Sequence, residues 1–363
     1  MNAILLYIVL ALGSWDTVDN IARSYITQKG FPGLTIGVLD QTGIKYIKAY
    51  GTYTYDSTQP IQSTTLFDMA SVSKVIATTS VVMRLYEEGK LSLDDKVVKY
   101  VPEFGANGKE NITIMNLMIH DSGMEADHPF DDYSDMNQET LLHYAYNIRL
   151  SYATGTAYLY SDFSMIIMME IIKRITTTTL DKYSQEKIFK PLGMFHSVFN
   201  PGDKACCAPT EIDTYYRHEL LQGIVHDEKA FYLNGVGGSA GFYSTIEDMM
   251  KFMLMMVNYG AYGTGQQMFK KETIVKFTTR VSVPYHTTRA IGWDTNPYGS
   301  ICQTAYGHTG YTGTSVYADE SRNGLTVVLL TNRVDPSRNH NTATLVANFR
   351  REVTNEIINT LAK

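Results

Sequence analysis

The sequence predicts an α/β (α+β) fold: an antiparallel sheet flanked by N- and C-terminal helices, with an all-helical lobe inserted between its first and last strands. Two observations predict it. The chain opens on an amphipathic helix followed by a strand hairpin, and it closes on two strands followed by another amphipathic helix. The stretch between these ends is helical and rich in loops. Terminal units of this kind share one sheet, and the inserted helices form a lobe beside it. A cleft at the junction is the natural place for a site.

The elements follow in order. Val18, Ile21, Ala22, Tyr25 and Ile26 recur at helical spacing over residues 17–28, and Phe31-Pro32-Gly33 breaks that helix. Residues 34–39 and 44–49 are two strands around Asp40-Gln41-Thr42-Gly43, a hairpin signal. A helix from Ser71 keeps Val72, Val75, Ile76, Thr79, Met83 and Tyr86 on one face and ends at Gly89. Short helices are expected at 112–119 and 180–189, and a strongly apolar one at 163–176. Residues 200–235 are irregular, polar and long enough to be a functional loop. Ser244-Thr245-Ile246-Glu247 has the form of a capping box for a helix to Met256. Strands at 315–318 and 325–331 flank a turn around Arg322-Asn323-Gly324, and the last helix covers 344–361.

The bulk properties exclude several functions. With 363 residues, 44% hydrophobic and 19% charged, the chain has the composition of a globular protein with a large core. A net charge of -6 attracts neither nucleic acid nor an anionic membrane surface. Cys206, Cys207 and Cys302 make neither a disulfide framework nor a zinc site; free thiols, or one bridge from Cys302 to either neighbour, are the expectation. No metal or cofactor pattern is present. The apolar run Ala3 to Leu12, with a small-residue cleavage site at Ala11-Leu12-Gly13, reads as a signal peptide over residues 1–13. It is too short to span a bilayer. A secreted protein or one of the endomembrane lumen is expected, with a buried helix in a cytoplasmic protein as the alternative. Residues 14–363 then form the functional domain.

Ser71-Val72-Ser73-Lys74 is the stretch that carries chemistry. Positions i and i+3 of a helix share a face, so the Lys74 amine can reach the Ser71 hydroxyl. A serine is a weak nucleophile until a base takes its proton, and S-x-x-K is a pattern of serine acyl-transfer enzymes. By itself the pattern equally describes Ser71 or Ser73 capping a helix. A free lysine is neutral in only about one molecule in two thousand at pH 7. Lys74 therefore needs its pKa lowered by burial, or a partner that shares the proton. Tyr160, in Tyr160-Ser161-Asp162, is a candidate partner, although a packed tyrosine with Asp162 as an N-cap fits the same residues. Tyr306-Gly307-His308-Thr309-Gly310-Tyr311 places two glycines beside a late strand, where a substrate can approach the backbone.

Together, in this order, the three motifs resemble the serine β-lactamase and penicillin-binding-protein superfamily, above all its class C-related branch. That branch includes esterases and D-alanyl-D-alanine carboxypeptidase-like hydrolases. Phe31-Pro32-Gly33, residues 117–123, Pro191-Leu192-Gly193-Met194 and Gly292-Trp293 extend the likeness over residues 17–361. The resemblance implies a β-lactamase/transpeptidase-like fold, Ser71 as the acylated nucleophile, Lys74 as its base and Tyr160 as the partner acid and base. It implies an oxyanion hole from the Ser71 and Tyr311 backbone N–H groups, and substrate binding by Asp162, His308, Thr309 and Gly310. It implies no metal and no cofactor. The substrate is a small ester, amide or D-amino-acid peptide.

Two positions depart from the family pattern. Asp162 stands where the family has asparagine, an acceptor in place of an amide that also donates. His308 stands where lysine is usual, which removes a permanent cation from the place where β-lactams and peptides present a carboxylate. Both shift the expectation to an esterase or D-amino-acid peptidase-like hydrolase with weak or no β-lactamase activity. An inactive binding scaffold retaining the fold is the alternative. A rival serine, Ser239 in Gly237-Gly238-Ser239-Ala240-Gly241, matches G-x-S-x-G but lacks upstream parallel βα units and an oxyanion motif. It reads better as a glycine-rich structural loop.

Overall fold

A computed structural model describes residues 15–127, 136–299 and 304–362. The leader at 1–13 and Cys302 lie outside the described residues. Both ends of the chain do enter one sheet. Helix α1 (Asp16–Thr27) leads into β1 (Gly33–Asp40) and β2 (Gly43–Gly51), a hairpin. The last strands are β10 (Ala305–Thr309), β11 (Ser315–Asp319) and β12 (Leu325–Thr331), and α10 (Ala343–Leu361) ends the chain. The five strands run antiparallel in the order β10-β11-β12-β1-β2, with Ile36 opposite Leu329.

Strand alternation sorts the core into two layers. Leu34, Ile36 and Val38 of β1, with Val327 and Leu329 of β12, pack against Val18, Ala22, Val346, Phe349 and Val353 of α1 and α10. Val328 and Leu330 point to the opposite face, into the larger core around α8 (Ile246–Val257). Each such side chain stabilises the fold by roughly 1.5–3 kcal/mol on burial. A one-residue slip would exchange the layers, so the register is fixed by the pattern.

Between the sheet's halves lie β3 (Phe67–Asp68), α2 (Ser80–Glu87), α3 (Ile114–Met118), α4 (Gln138–Asn147), α5 (Asp162–Thr176) and α6 (Leu180–Ser184). Then come β4 (Val198–Phe199), the hairpin β5 (Ile212–Asp213) and β6 (Glu219–Leu220), α7 (Glu228–Tyr232) and β7 (Phe242–Ser244). After α8, the small hairpin β8 (Ala261–Tyr262) and β9 (Gln266–Gln267) precedes α9 (Lys271–Thr278). Strands β3, β7 and β4 form a second, three-stranded sheet at the junction.

Several local expectations are corrected. The helix from Ser71 is not uniformly α: Ala70–Val72 is a 3-10 turn, Lys74–Thr79 is a π-helix, and α geometry begins at Ser80. The Thr79 hydroxyl donates to the Lys74 carbonyl at 2.7 Å, five residues back, which supports the wider turn. The 180–189 helix likewise passes from α to π at Gln185. The cap of α8 is Thr245, whose side chain accepts from the Asp248 N–H, one residue beyond the expected Ser244 box. The cap residue of α5 is Ser161, and Asp162 is its first helical residue, not its cap. Periodicity alone missed α4 and α9, which have mixed polar faces.

Cys206 is an exposed free thiol and Cys207 a buried one. No helix among the described residues is long and apolar enough to cross a membrane.

Candidate active site

The second sheet sets the nucleophile's position. Strand β3 ends at Asp68, and the chain turns sharply through Ala70, which sits at φ 45°. A left-handed alanine is strained and needs over-determination by its surroundings. The buried Asp68 carboxylate provides it, accepting from the Ala70 N–H at 2.8 Å and from the His226 N–H at 2.7 Å. Ser71 follows, half-buried, at the start of the helix.

Lys74 is fully buried beneath it. Its ammonium donates to Ser71 Oγ at 2.9 Å and to the Ser239 carbonyl at 2.9 Å, and it pairs with Asp162 Oδ1 at 2.7 Å. All three N–H bonds of an ammonium are thereby directed. Burial by itself pushes Lys74 down, but the Asp162 carboxylate and the Tyr160 phenol outweigh it, and the net shift is up. The net shift thus runs against the expectation that burial lowers this lysine, and the Tyr160 ring lies 5.0 Å from the ammonium. The Tyr160 ring also lies tilted against His120, ring centroids 4.6 Å apart, and His120 Nδ1 accepts from the Ser161 N–H at 3.1 Å.

Asp162 does not stand free in the cleft. Burial raises its carboxyl, but Lys74 and Lys229 outweigh that and bring it down to about 2. Ser239, the rival serine, has a buried side chain and contributes only its carbonyl to Lys74. The glycines around it are structural. A Cβ on Gly238 would lie 1.9 Å from the Met165 carbonyl oxygen of α5, so only glycine lets the loop approach.

The third motif reaches Ser71 from the sheet. His308 and Thr309 end β10, and Gly310 packs against the nucleophile turn, where an added Cβ would lie 2.7 Å from the Met69 carbonyl oxygen. Thr312 Oγ1 donates to the Asp68 carbonyl at 2.7 Å and Thr314 Oγ1 to the Met69 carbonyl at 2.9 Å. The Ser71 and Tyr311 amides make no hydrogen bond among the described residues, which leaves both N–H groups open to a ligand. Arg350 of α10 braces the turn from behind through the Gly310 and Thr314 carbonyls.

His308 does not leave the site without a cation. It is buried and held neutral: burial, Arg289 and Lys74 all push it well below the usual histidine range. Its Nδ1–H donates to the Thr309 carbonyl at 2.9 Å, so Nε2 accepts from Arg289 Nη1 at 3.2 Å. Arg289 is itself buried, donates to Tyr158 Oη at 2.9 Å and lies 5.1 Å over the Tyr160 ring. It forms no ion pair with a carboxylate among the described residues. The permanent charge missing at His308 is supplied from another segment.

Residues 200–235, expected to be a functional loop, furnish a second set of charges. Glu211 is buried, accepts from Arg338 Nη2 at 2.8 Å and contacts His226 Nε2 at 2.8 Å. The His226 ring stacks on Tyr311, centroids 5.3 Å apart. Burial raises the Glu211 carboxyl, but the bonds to His226 and Arg338 bring it down to about 2. Because this folded-state value lies below the unfolded one of about 4.3, the stabilisation is present above that value and is lost as pH falls toward about 2. Its size is roughly 3 kcal/mol, and Asp162 acts in the same direction. The expected result is a urea midpoint that declines steeply below about pH 4.5, with Glu211→Gln less stable at pH 7 and less sensitive to acid. A Glu211→Gln protein with wild-type stability at pH 7 would refute this role.

Among the described residues no group of three or more His, Cys, Asp or Glu side chains is placed to hold a metal ion. Sequence reading missed Arg289 and Lys229. The latter directly follows His226-Asp227-Glu228 in the chain.

A serine, a buried lysine, a tyrosine and two open amides beside a five-stranded sheet are the arrangement of a serine hydrolase. The Beta-lactamase family model matches residues 18–350. The chain is 34% identical over 360 residues to a protein of Escherichia coli (strain K12) named "Putative D-alanyl-D-alanine carboxypeptidase", covering 86% of this chain and 82% of that one. A Salmonella typhi protein of the same name is 34% identical over 346 residues, covering 84% and 79%. Among solved structures, an octameric penicillin-binding protein homologue from Pyrococcus abyssi has a TM-score of 0.72 at 21% identity, covering 92% of this chain and 77% of that one. A class C β-lactamase has a TM-score of 0.71 at 20% identity, covering 92% and 94%. EstCE1, a hydrolase with promiscuous acyltransferase activity, has 0.72 at 19%, covering 92% and 97%. These likenesses show the shared fold. The chain belongs to the Beta-lactamase family.

Proposed function

We propose that the protein is a carboxypeptidase-like acyl-transfer hydrolase acting through an acyl-enzyme on Ser71, on peptides that end in a D-amino acid with a free carboxylate. The observation that carries the substrate class is Arg289, a buried cation with no carboxylate partner among the described residues, bonded to His308 and Tyr158. The names of the curated relatives support the same class.

In this reading Ser71 Oγ attacks the scissile carbonyl, and the Ser71 and Tyr311 N–H groups receive the developing oxyanion. Ser71 already accepts a bond from Lys74, so its own proton must leave in another direction. An ammonium with all three protons directed is not a base. The reactive form is the one in which the Lys74–Tyr160 pair has lost one proton. In this reading the Tyr160 oxygen, beside Lys74, takes the serine proton and later returns it to the leaving amine. Water then attacks the acyl-enzyme by the reverse path.

An esterase is the second reading, favoured by Asp162. A carboxylate held by two lysines offers no amide N–H to a substrate's acyl side chain, and an ester with a good leaving group needs that grip least.

The test is a hydrolysis panel of a peptide ending in D-Ala-D-Ala, its C-terminal amide, p-nitrophenyl esters of increasing acyl length and nitrocefin. Expected are turnover of the free-acid peptide at least about tenfold above its amide, ester turnover above nitrocefin turnover, and a raised KM for the acid peptide alone in Arg289→Met. Ester turnover without peptide turnover selects the esterase reading. Nitrocefin as the best substrate overturns both.

A further inference from the structure

One buried charge at the site takes no part in the steps above. Lys229 of α7 is buried, and its ammonium lies 2.9 Å from Asp127 Oδ1, 3.4 Å from Asp162 Oδ2 and 3.4 Å from Asp227 Oδ2. Asp162 is the shared member, with Oδ1 on Lys74 at 2.7 Å and Oδ2 toward Lys229. A lone carboxylate beside the catalytic lysine would deepen the hold on its proton and oppose formation of an anion on Tyr160. A second cation on its far oxygen reduces both effects.

We propose that Lys229 is a positioning residue for the acyl-transfer reaction: it holds Asp162 and shares its charge, so that a carboxylate can stand beside Lys74 while the Lys74–Tyr160 pair keeps its capacity to take the Ser71 proton. This rests on the acyl-enzyme reading above.

The surrounding charges leave the assignment narrow. Facing this cluster are Asp127 from the segment after α3, Asp227 from the cap of α7, Tyr160 before α5, His308 of β10, and His120 and Arg289 behind Tyr160. Asp227 is occupied in part by the Ala230 N–H at 2.7 Å. His120 and His308 are both pushed well below the usual histidine range, by burial first and by neighbouring cations second, so they stay neutral. Lys229 is itself held well above the usual lysine range, burial notwithstanding, by Asp227, Asp162 and Asp127. The proton lost on activation therefore belongs to the Lys74–Tyr160 pair, and Asp162 and Lys229 bias it in opposite senses.

The test compares wild type, Lys229→Met, Asp162→Asn and the double variant. The first readout is the pH dependence of fluorophosphonate labelling of Ser71. Lys229→Met moves the rising limb to higher pH by about one unit, a roughly tenfold slower reaction at pH 7. Asp162→Asn moves it to lower pH, and the double variant returns it to near the wild-type position. Four coincident limbs with only a uniform loss of rate overturn the proposal. The second readout is the urea midpoint, which needs no activity. Lys229→Met lowers it more with Asp162 present than in the Asp162→Asn background, and equal lowering in both refutes the hold on Asp162. If wild type is never labelled at Ser71, the acyl-enzyme reading fails, while the urea cycle still decides whether Lys229 holds Asp162. Should Lys229→Met not fold, Lys229→Arg replaces it. The retained charge keeps the wild-type limb, and a limb displaced to high pH in the arginine variant overturns the proposal.

Discussion

Ser71→Ala abolishes turnover of every substrate in the panel and all covalent labelling, with a loss of at least about ten-thousandfold in kcat/KM. The size follows from the site's geometry. The hydroxyl is the only group of this serine that the helix presents at the open amides, and an alanine leaves the backbone N–H and the Asp68-braced turn intact. The folded protein therefore keeps its binding groups and loses only the nucleophile. Ser239→Ala is the matched control. Its side chain is buried and its contribution to Lys74 is a main-chain carbonyl at 2.9 Å, which alanine retains. Activity within about threefold of wild type is expected there, a difference of well under 1 kcal/mol in barrier. Mass spectrometry of inhibitor-treated protein reads both outcomes. An active Ser71→Ala enzyme, or an inactive but folded Ser239→Ala enzyme, would transfer the chemistry to the other serine.

Lys74→Met lowers kcat/KM by roughly a thousandfold while leaving a folded protein. The rate loss is that of removing an acid–base partner, which contributes about a hundred- to ten-thousandfold. Methionine fills a similar buried volume but directs nothing at Ser71 Oγ, and it leaves Tyr160 without its neighbouring cation. Stability falls less than for a typical broken buried pair, which costs about 3–5 kcal/mol. Asp162 keeps Lys229 at 3.4 Å, so its charge is not stranded. The measurements are single-turnover labelling of Ser71 and a urea titration on the same sample. A fully active Lys74→Met enzyme would remove Lys74 from the mechanism, and an unfolded one would show that Lys229 does not compensate Asp162.

Much of this was legible in the chain. The alternation of Leu34, Ile36 and Val38 against helical stripes at both ends fixed which segments share the sheet, because side-chain direction has period 2 in a strand and 3.6 in a helix. Ser71 and Lys74 stood out as candidates because acyl transfer demands those residue types at short spacing, which one helix start can place, and Tyr160 and His308 through the order of the motifs. The form of the nucleophile helix was not legible. Its turns pack against partners far along the sequence: Gly292 lies against Thr79, and Thr78 Oγ1 donates to the Gly238 carbonyl at 2.7 Å. Local corrections such as the Thr245 cap are of the same kind, settled by one hydrogen bond between two equally good candidates.

By itself, then, the sequence determined the fold class and the family and nominated the candidate reacting side chains, since these rest on patterns written within single segments. Only the tertiary structure decided the charge on those side chains. Lys74 is held as an ammonium by Asp162 and Tyr160, Asp162 is shared with Lys229 from a loop, and the cation absent at His308 is returned by Arg289. Electrostatic balance sums over every neighbour within a few ångströms in a low dielectric. Those neighbours come from five separate stretches of chain that only folding brings together.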